Sequence, residues 1–182
     1  MILHRCFAWD RDAAPEARGG ALWLARMLQG HGRHDNPLSY GCLYVSESPL
    51  SAVVEQLARF TGRELRPDML RRHGLPLAVA ALELPDGEEV VDLDEPRTLA
   101  AEGLRPSLVA THERARTQAD ALDLYERHPD AAGLRWWSTF EAQWGNVTLF
   151  DRAGPALRVE GLRELDVEDE LVVEAAVFLG LR

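Results

Sequence analysis

The stretch GRHDNPLSYGCLYVSESPLSAVVEQL, Gly32 to Leu57, sets the reading of the fold. It passes from a loop through a strand into a helix. His31 to Tyr40 is polar and turn-rich. Cys42 to Ser46 is apolar and β-rich and reads as a strand. Ser48-Pro49 marks a helix start: serine is a favoured N-cap, and proline suits the first helical position, where its missing N–H would have no partner. Leu50, Val53, Val54 and Leu57 recur at helical period and predict the buried stripe, with Glu55 outside it. Working outward, Ile2 to Ala8 reads as a strand containing Arg5, Asp10 to Gly20 as a loop, and Ala21 to Leu28 as a segment with helical spacing. Leu77 to Leu84 and Glu89 to Leu93 predict two strands joined through the turn Pro85-Asp86-Gly87. Thr117 to Arg127 predicts a helix. Gly133 to Ser138 and Val147 to Phe150 predict short strands around a loop holding Trp144-Gly145-Asn146. The Val-rich run Leu171 to Leu179 reads as a closing strand. This mixture predicts an α+β fold, one domain over residues 1–182, with a largely antiparallel mixed sheet.

The 182 residues suffice for one domain with its own core, and 46% hydrophobic with 27% charged residues is ordinary globular composition. A formal net charge of −10 argues against direct binding of nucleic acid or an anionic membrane. A small anionic ligand stays compatible with it, because a local arginine can dominate inside a cleft. Acidic residues gather at Glu83–Glu95 and Glu160–Glu174, which reads as solvated surface. The two cysteines, Cys6 and Cys42, form no CxxC pair and suit buried free thiols in a reducing compartment. The segment MILHRCFAWDRD does not read as a signal peptide. No apolar run approaches the ~20 residues of a membrane helix. The expected location is the cytoplasm.

Arg33, Tyr44 and Glu55 fall on the loop, the strand and the helix in turn. An arginine fork suits a diphosphate. A tyrosine ring can stack on a planar base. A carboxylate can hold ribose hydroxyls and stabilise a developing oxocarbenium ion. Taken singly, each reads first as a plain structural residue: a solvent-exposed loop arginine, a half-buried strand tyrosine and a helix-surface glutamate. Trp136-Trp137 suggests core on one face and a groove or interface on the other. Ser138 has no G-x-S-x-G context, so it is not read as a hydrolase nucleophile. His31 and His34 lack cysteines or paired acids at ligand spacing, and no metal is expected. Walker A and G-x-G-x-x-G motifs are absent.

Together these segments resemble the RES domain family, named for its Arg, Glu and Ser residues. His4-Arg5-Cys6 matches the family's N-terminal arginine. Gly32-Arg33-His34-Asp35-Asn36-Pro37 matches its Gly-Arg-aromatic-Asn-Pro loop. Leu43 through Glu55 matches Leu-Tyr-x-Ser-x-Ser-Pro-x-x-Ala-x-x-Glu. Gly133 through Ser138 and Asn146 through Phe150 match the late Gly-hydrophobic-x-x-x-Ser and Asn-x-x-Leu-Phe elements. The chain departs from the pattern twice: His34 stands where the family usually has an aromatic such as tryptophan, and Asp35 is an extra residue before Asn36-Pro37.

The resemblance implies an ADP-ribosyltransferase-like fold and a bacterial toxin of a toxin–antitoxin pair. It implies that NAD is the substrate rather than a bound cofactor, with its nicotinamide–ribose bond cleaved and water or phosphate as acceptor. Arg33, Tyr44 and Glu55 would be catalytic. Arg5, His34, Ser46, Ser138 and Asn146 would bind substrate. The implied partner is a cognate antitoxin with a DNA-binding domain, in a homodimer or hetero-oligomer. Two other readings stay open: an ADP-ribosyltransferase acting on a protein or small molecule, and a non-catalytic binding module.

Overall fold

The computed structural model describes residues 1–182. They divide into two compact units, the first made of Met1–Trp23, Val45–Leu84 and Leu157–Arg182, the second of Leu24–Tyr44 and Pro85–Ala156. Helices and strands are mixed, and the eight strands pair mostly antiparallel, as expected for the α+β class.

The first unit is organised by β4 (Leu75–Glu83), whose sequence LPLAVAALE is almost wholly apolar and mostly buried, and both of whose edges are paired. Along one edge it takes β1 (Ile2–Ala8), antiparallel from Ile2↔Glu83 to Ala8↔Leu77. Along the other run the short β3 (Arg71–Arg72) and then β8 (Arg158–Glu164), with a register shift at Ala81/Leu82. β1 also meets the end of β2 (Cys42–Ser46), at His4↔Ser46. Two helices complete the unit. α1 (Pro49–Leu57) starts as predicted, with the Ser48 side chain accepting from the Ser51 N–H. Its buried residues include Ala52, Val53, Val54 and Leu57. α5 (Glu170–Leu179) packs on α1.

α5 corrects the strand expected at Leu171–Leu179. Asp169 caps the helix by accepting from the Leu171 N–H at 2.9 Å, and Gly180 ends it at φ 64°. Its buried residues, Val172, Ala175, Ala176 and Leu179, fall at i, i+3, i+4 and i+7, the helical period. Caps and period outweigh the β preference of the valines. A second correction concerns Ala21–Leu28, where only Arg26–Leu28 forms a single 3-10 turn. The carbonyls of Ala21 and Trp23 accept from the Arg5 guanidinium, at 2.5 and 3.0 Å, in place of helical N–H groups.

In the second unit β7 (Gly145–Phe150) lies between β2 and β6 (Gly133–Trp137), and β5 (Val90–Asp92) runs parallel to β6. The turn at Pro85-Asp86-Gly87 forms, with Gly87 at φ 105°. It does not fold β5 back on β4 as a hairpin, because β5 takes β6 as its partner. β6 and β7 pair antiparallel so closely at Gly133 that a Cβ there would lie 2.3 Å from the Thr148 carbonyl oxygen. Three helices cover this unit: α2 (Pro96–Glu102), α3 (Pro106–Val109) and α4 (Arg114–Arg127). α4 begins three residues before the predicted Thr117 and turns Thr117, Ala121 and Leu124 inward. The core joins Ala121 and Leu124 to Tyr40, Leu134, Trp136 and Phe150. No helix is long and apolar enough to cross a membrane.

Candidate functional site

The loop from Gly30 to Tyr40 has little regular structure of its own, yet it is fixed by side chains at nearly every step. Asp35 is buried, and its Oδ2 accepts from the N–H groups of Gly30 and Gly32 at 2.8 and 2.7 Å. Its Oδ1 accepts from the Tyr44 hydroxyl at 2.7 Å. That hydroxyl in turn accepts from the His34 N–H at 2.9 Å. The residue that looked like an insertion is therefore the carboxylate that closes the loop onto β2. Burial first, then the nearby Cys42 and Asp35, push the Tyr44 hydroxyl far above its usual range, so it stays protonated.

From the opposite side α4 holds the same loop. Thr117 Oγ1 donates to the Arg33 carbonyl at 2.6 Å. Gln118 Nε2 donates to the carbonyls of Gly32 and Gly30 at 2.9 and 3.1 Å. Asn36 Nδ2 donates to the Gln118 carbonyl and to the Tyr40 hydroxyl, and Tyr40 donates to the His34 carbonyl at 2.8 Å. Gly32 leaves no room for a side chain unless a neighbour shifts, since a Cβ there would lie 2.4 Å from the Tyr44 hydroxyl.

Arg33 is only 5% exposed. Its Nη1 donates to the carbonyls of Val109 and Thr111 at 2.8 and 2.7 Å, and its guanidinium lies 4.9 Å from the centre of the Trp136 ring. One arm of the fork expected to grip a diphosphate is thus engaged with the backbone around α3. His34 meets Trp136 edge-on, with centroids 5.4 Å apart and planes at 78°. The imidazole thus serves here as a ring packed against Trp136. Its Nδ1 lies 2.8 Å from Thr148 Oγ1, which also accepts from Trp136 Nε1 at 3.1 Å. Burial, reinforced by the charges of Arg33 and Arg114, pushes the His34 pKa down to about 3, so the ring is neutral. Beneath it lies a small hollow lined chiefly by apolar side chains such as Leu93, Val109 and Leu134.

Asn146, 4% exposed, sits on β7 directly opposite Trp136. Ser138, 2% exposed, directly follows β6; its N–H donates to the Trp144 carbonyl and its Oγ accepts from the Phe140 N–H. Trp136 is buried and Trp137 partly so. The second unit therefore gathers Arg33, His34 and Tyr44 into one hydrogen-bonded group, with Asn146 on the strand beside it.

Arg5, Ser46 and Glu55 belong to the first unit. The Arg5 guanidinium ties β1 to the Ala21 and Trp23 carbonyls and lies 5.1 Å from the Phe7 ring centre. Burial pushes its pKa down to about 10, which leaves it charged at neutral pH. Ser46 is buried opposite His4 at the end of β2. Glu55 is exposed on α1, off the helix's buried face.

Asp35, Asn36, Tyr40, Thr117 and Gln118 are the residues that sequence reasoning missed as parts of this group. The Asn36-Pro37 turn signal marked a loop there, but nothing local marks the α4 residues that reach back to it.

A family model described as the RES domain matches residues 2–169. None of the curated proteins matches the chain. Among solved structures, a chain from the crystal structure of the M. tuberculosis MbcT–MbcA toxin–antitoxin complex superposes with a TM-score of 0.66 at 17% identity, covering 100% of this chain and 88% of that one. At that identity the likeness is one of fold. With the match running from β1 to the residue that caps α5, this chain belongs to the RES domain family.

Proposed function

We propose that this chain is the toxin of a toxin–antitoxin pair and that it degrades NAD by cleaving the nicotinamide–ribose bond. The observation that carries the reading is the family match over residues 2–169. The likeness in fold to a chain from a toxin–antitoxin complex supports it. The partner would be a cognate antitoxin with a DNA-binding domain, and the substrate pool would be cytoplasmic NAD.

The chemistry asks little of the protein. Nicotinamide is cationic in NAD, so it takes the bonding pair as it leaves and departs neutral. Positive charge is left on the ribose ring, spread between C1′ and the ring oxygen. A carboxylate held near that carbon stabilises the charge, and good positioning supplies much of the rest. Water attack then gives ADP-ribose with loss of a proton, and phosphate attack gives the corresponding sugar phosphate. Glu55, exposed on α1, is the carboxylate the resemblance assigns to this role. Arg33 contributes a buried cation held in place by two carbonyls. Tyr44, whose hydroxyl is engaged by Asp35 and His34, offers the face of its ring. Arg5, His34, Ser46, Ser138 and Asn146 are the remaining residues assigned to substrate. The ADP-ribosyltransferase-like character of the fold is part of the same proposal.

The test is nicotinamide release from NAD by purified chain, with and without phosphate, beside the Glu55→Gln variant. Release that the variant lacks at unchanged thermal midpoint supports the reading. ADP-ribose attached to protein would move the activity to a transferase. No release from folded wild-type chain in either buffer would leave a binding module.

A further inference from the structure

The stretch RFTGRELRPDMLRRHG, Arg59 to Gly74, reverses the charge of the chain. It sets five arginines against Glu64 and Asp68, in a protein of net charge −10. All five are exposed, and all lie in the first unit. Of the five, only Arg66 is ion-paired, with Asp68 at 3.0 Å. Arg59 lies 4.8 Å from the centre of the Phe60 ring, Arg71 donates to the Gly74 carbonyl, and Arg72 Nη1 donates to Gln56 Oε1 at 3.4 Å. Elsewhere the exposed arginines Arg11, Arg116 and Arg163 are each paired with a carboxylate.

The backbone gathers these cations. The 3-10 turn Ala58–Phe60 continues α1, so Arg59 follows Gln56 by three residues on the same side. Arg72 reaches the same Gln56 from β3, and the two guanidiniums flank one amide. His73 and Gly74, at φ 52° and 82°, form the left-handed pair of a two-residue turn that joins β3 to β4 and fixes Arg71 and Arg72. The loop between is tied down as well: Arg182 N–H donates to the Arg63 carbonyl at 3.0 Å, and Leu65 N–H donates to the Arg182 carbonyl at 2.8 Å.

We propose that this surface docks a short acidic segment of a partner protein, its carboxylates received by Arg59 and Arg72 beside Gln56 and by Arg63 and Arg71 around them. A guanidinium takes a carboxylate through two parallel N–H bonds, and these four have no carboxylate of their own. The surroundings favour a peptide over a nucleic acid. Glu64 and Asp68 stand among the arginines, and the rest of the chain is acidic. A duplex, with a charge every ~1.7 Å, would meet those acids too, whereas a peptide can place its carboxylates singly. Partly buried Phe60 and Leu65 and exposed Pro67 lie between the arginines, apolar surface that a peptide's side chains can cover. The contact is small and solvent-exposed, so the expected binding is weak and falls with salt. The inference is independent of the proposed chemistry.

Fluorescence anisotropy of labelled octaglutamate tests it. Wild-type chain is expected to bind the peptide at low salt and release it as salt rises; no binding at low salt overturns the proposal. Arg59→Glu and Arg72→Glu, at exposed positions, should each weaken binding about tenfold at unchanged thermal midpoint. Binding that survives both overturns the proposal. Arg97→Glu makes the same charge change at an exposed position on α2 and should leave binding within about twofold. A loss as large as that of Arg72→Glu would mean that net charge alone attracts the peptide, and would overturn the docking surface. A labelled DNA duplex that binds more tightly than octaglutamate, and loses affinity in Arg72→Glu, would overturn the peptide in favour of nucleic acid.

Discussion

Gly32 shows how much a single position can constrain this molecule. Its missing side chain leaves room for the Tyr44 hydroxyl and Asp35 Oδ1, which an added Cβ would meet at 2.4 and 2.5 Å. Neither neighbour can move away cheaply. Asp35 is pinned by the N–H groups of Gly30 and Gly32, and Tyr44 carries the His34 N–H. Gly32→Ala should therefore displace the hydroxyl and leave buried polar groups without partners, costing roughly 1–3 kcal/mol of stability. Urea unfolding would measure it as a lower midpoint, and nicotinamide release should fall further than the stability loss alone explains. A variant with wild-type midpoint and wild-type release would show that the loop tolerates the methyl group and that the Asp35–Tyr44–His34 linkage is not what fixes it. Arg33 and Tyr44 could be picked out from the sequence as residue types suited to an anionic, planar ligand. That their polar atoms are already engaged, with Val109, Thr111, Asp35 and His34, could not. Those partners lie up to 78 residues away, and only the folded chain brings them close.

At the scale of elements, local signals succeeded where caps, period and composition agreed. β1, β2, α1, β6 and β7 were expected within a few residues, because Ser48-Pro49 and short β-rich runs carry their own instructions. α5 failed for a physical reason. Valine favours strands in general, but Val172 and Leu179 are spaced with Ala175 and Ala176 at the helical period, between an aspartate cap and a left-handed glycine. β8 escaped notice because its sequence, RVEGLRE, is mostly polar and exposed, and its pairing comes from β4. The candidate site was legible as a set of segments and not as an arrangement: α4 supplies Thr117 and Gln118 to the loop from a helix whose own pattern signals only burial. The helix ends make a direct test of this account. Gly180 closes α5 at φ 64°, where a Cβ is strained, and its N–H bonds to the Ala176 and Val177 carbonyls. Gly180→Ala should cost about 1 kcal/mol. Thermal unfolding should show a midpoint lower by a few degrees, with helix content by circular dichroism nearly unchanged. An unshifted midpoint would mean that the end of α5 is held by the Arg182–Arg63 backbone bonds rather than by its cap.

Over the whole molecule, acid brings two opposed effects. Acidic residues outnumber basic ones by ten, and the pI is near 5.0, so lowering the pH from 7 toward 5 relieves repulsion within the folded chain. Taken alone, that relief would stabilise the fold. His34 works against it. Its ring is buried between Trp136 and Thr148, with Arg33 adjacent, and its pKa is held down at about 3 against an ordinary 6.5. In the unfolded chain the same ring takes up a proton as the pH falls through 6.5, while in the folded chain it stays neutral until about 3. Between those values the unfolded state binds more protons. Stability is thus fully present above 6.5 and declines as the pH drops, by about 1 kcal/mol for each pH unit. Urea titrations at pH 7, 6, 5 and 4 should therefore show a midpoint that falls steadily. His34→Phe keeps an aromatic ring against Trp136 and removes the titration. It should start lower at pH 7, because Thr148 Oγ1 loses one partner, and then lose less on acidification, so that the two curves converge. Parallel curves would mean that the acid sensitivity resides in the carboxylates and that His34 takes up its proton at much the same pH in the folded and unfolded chain.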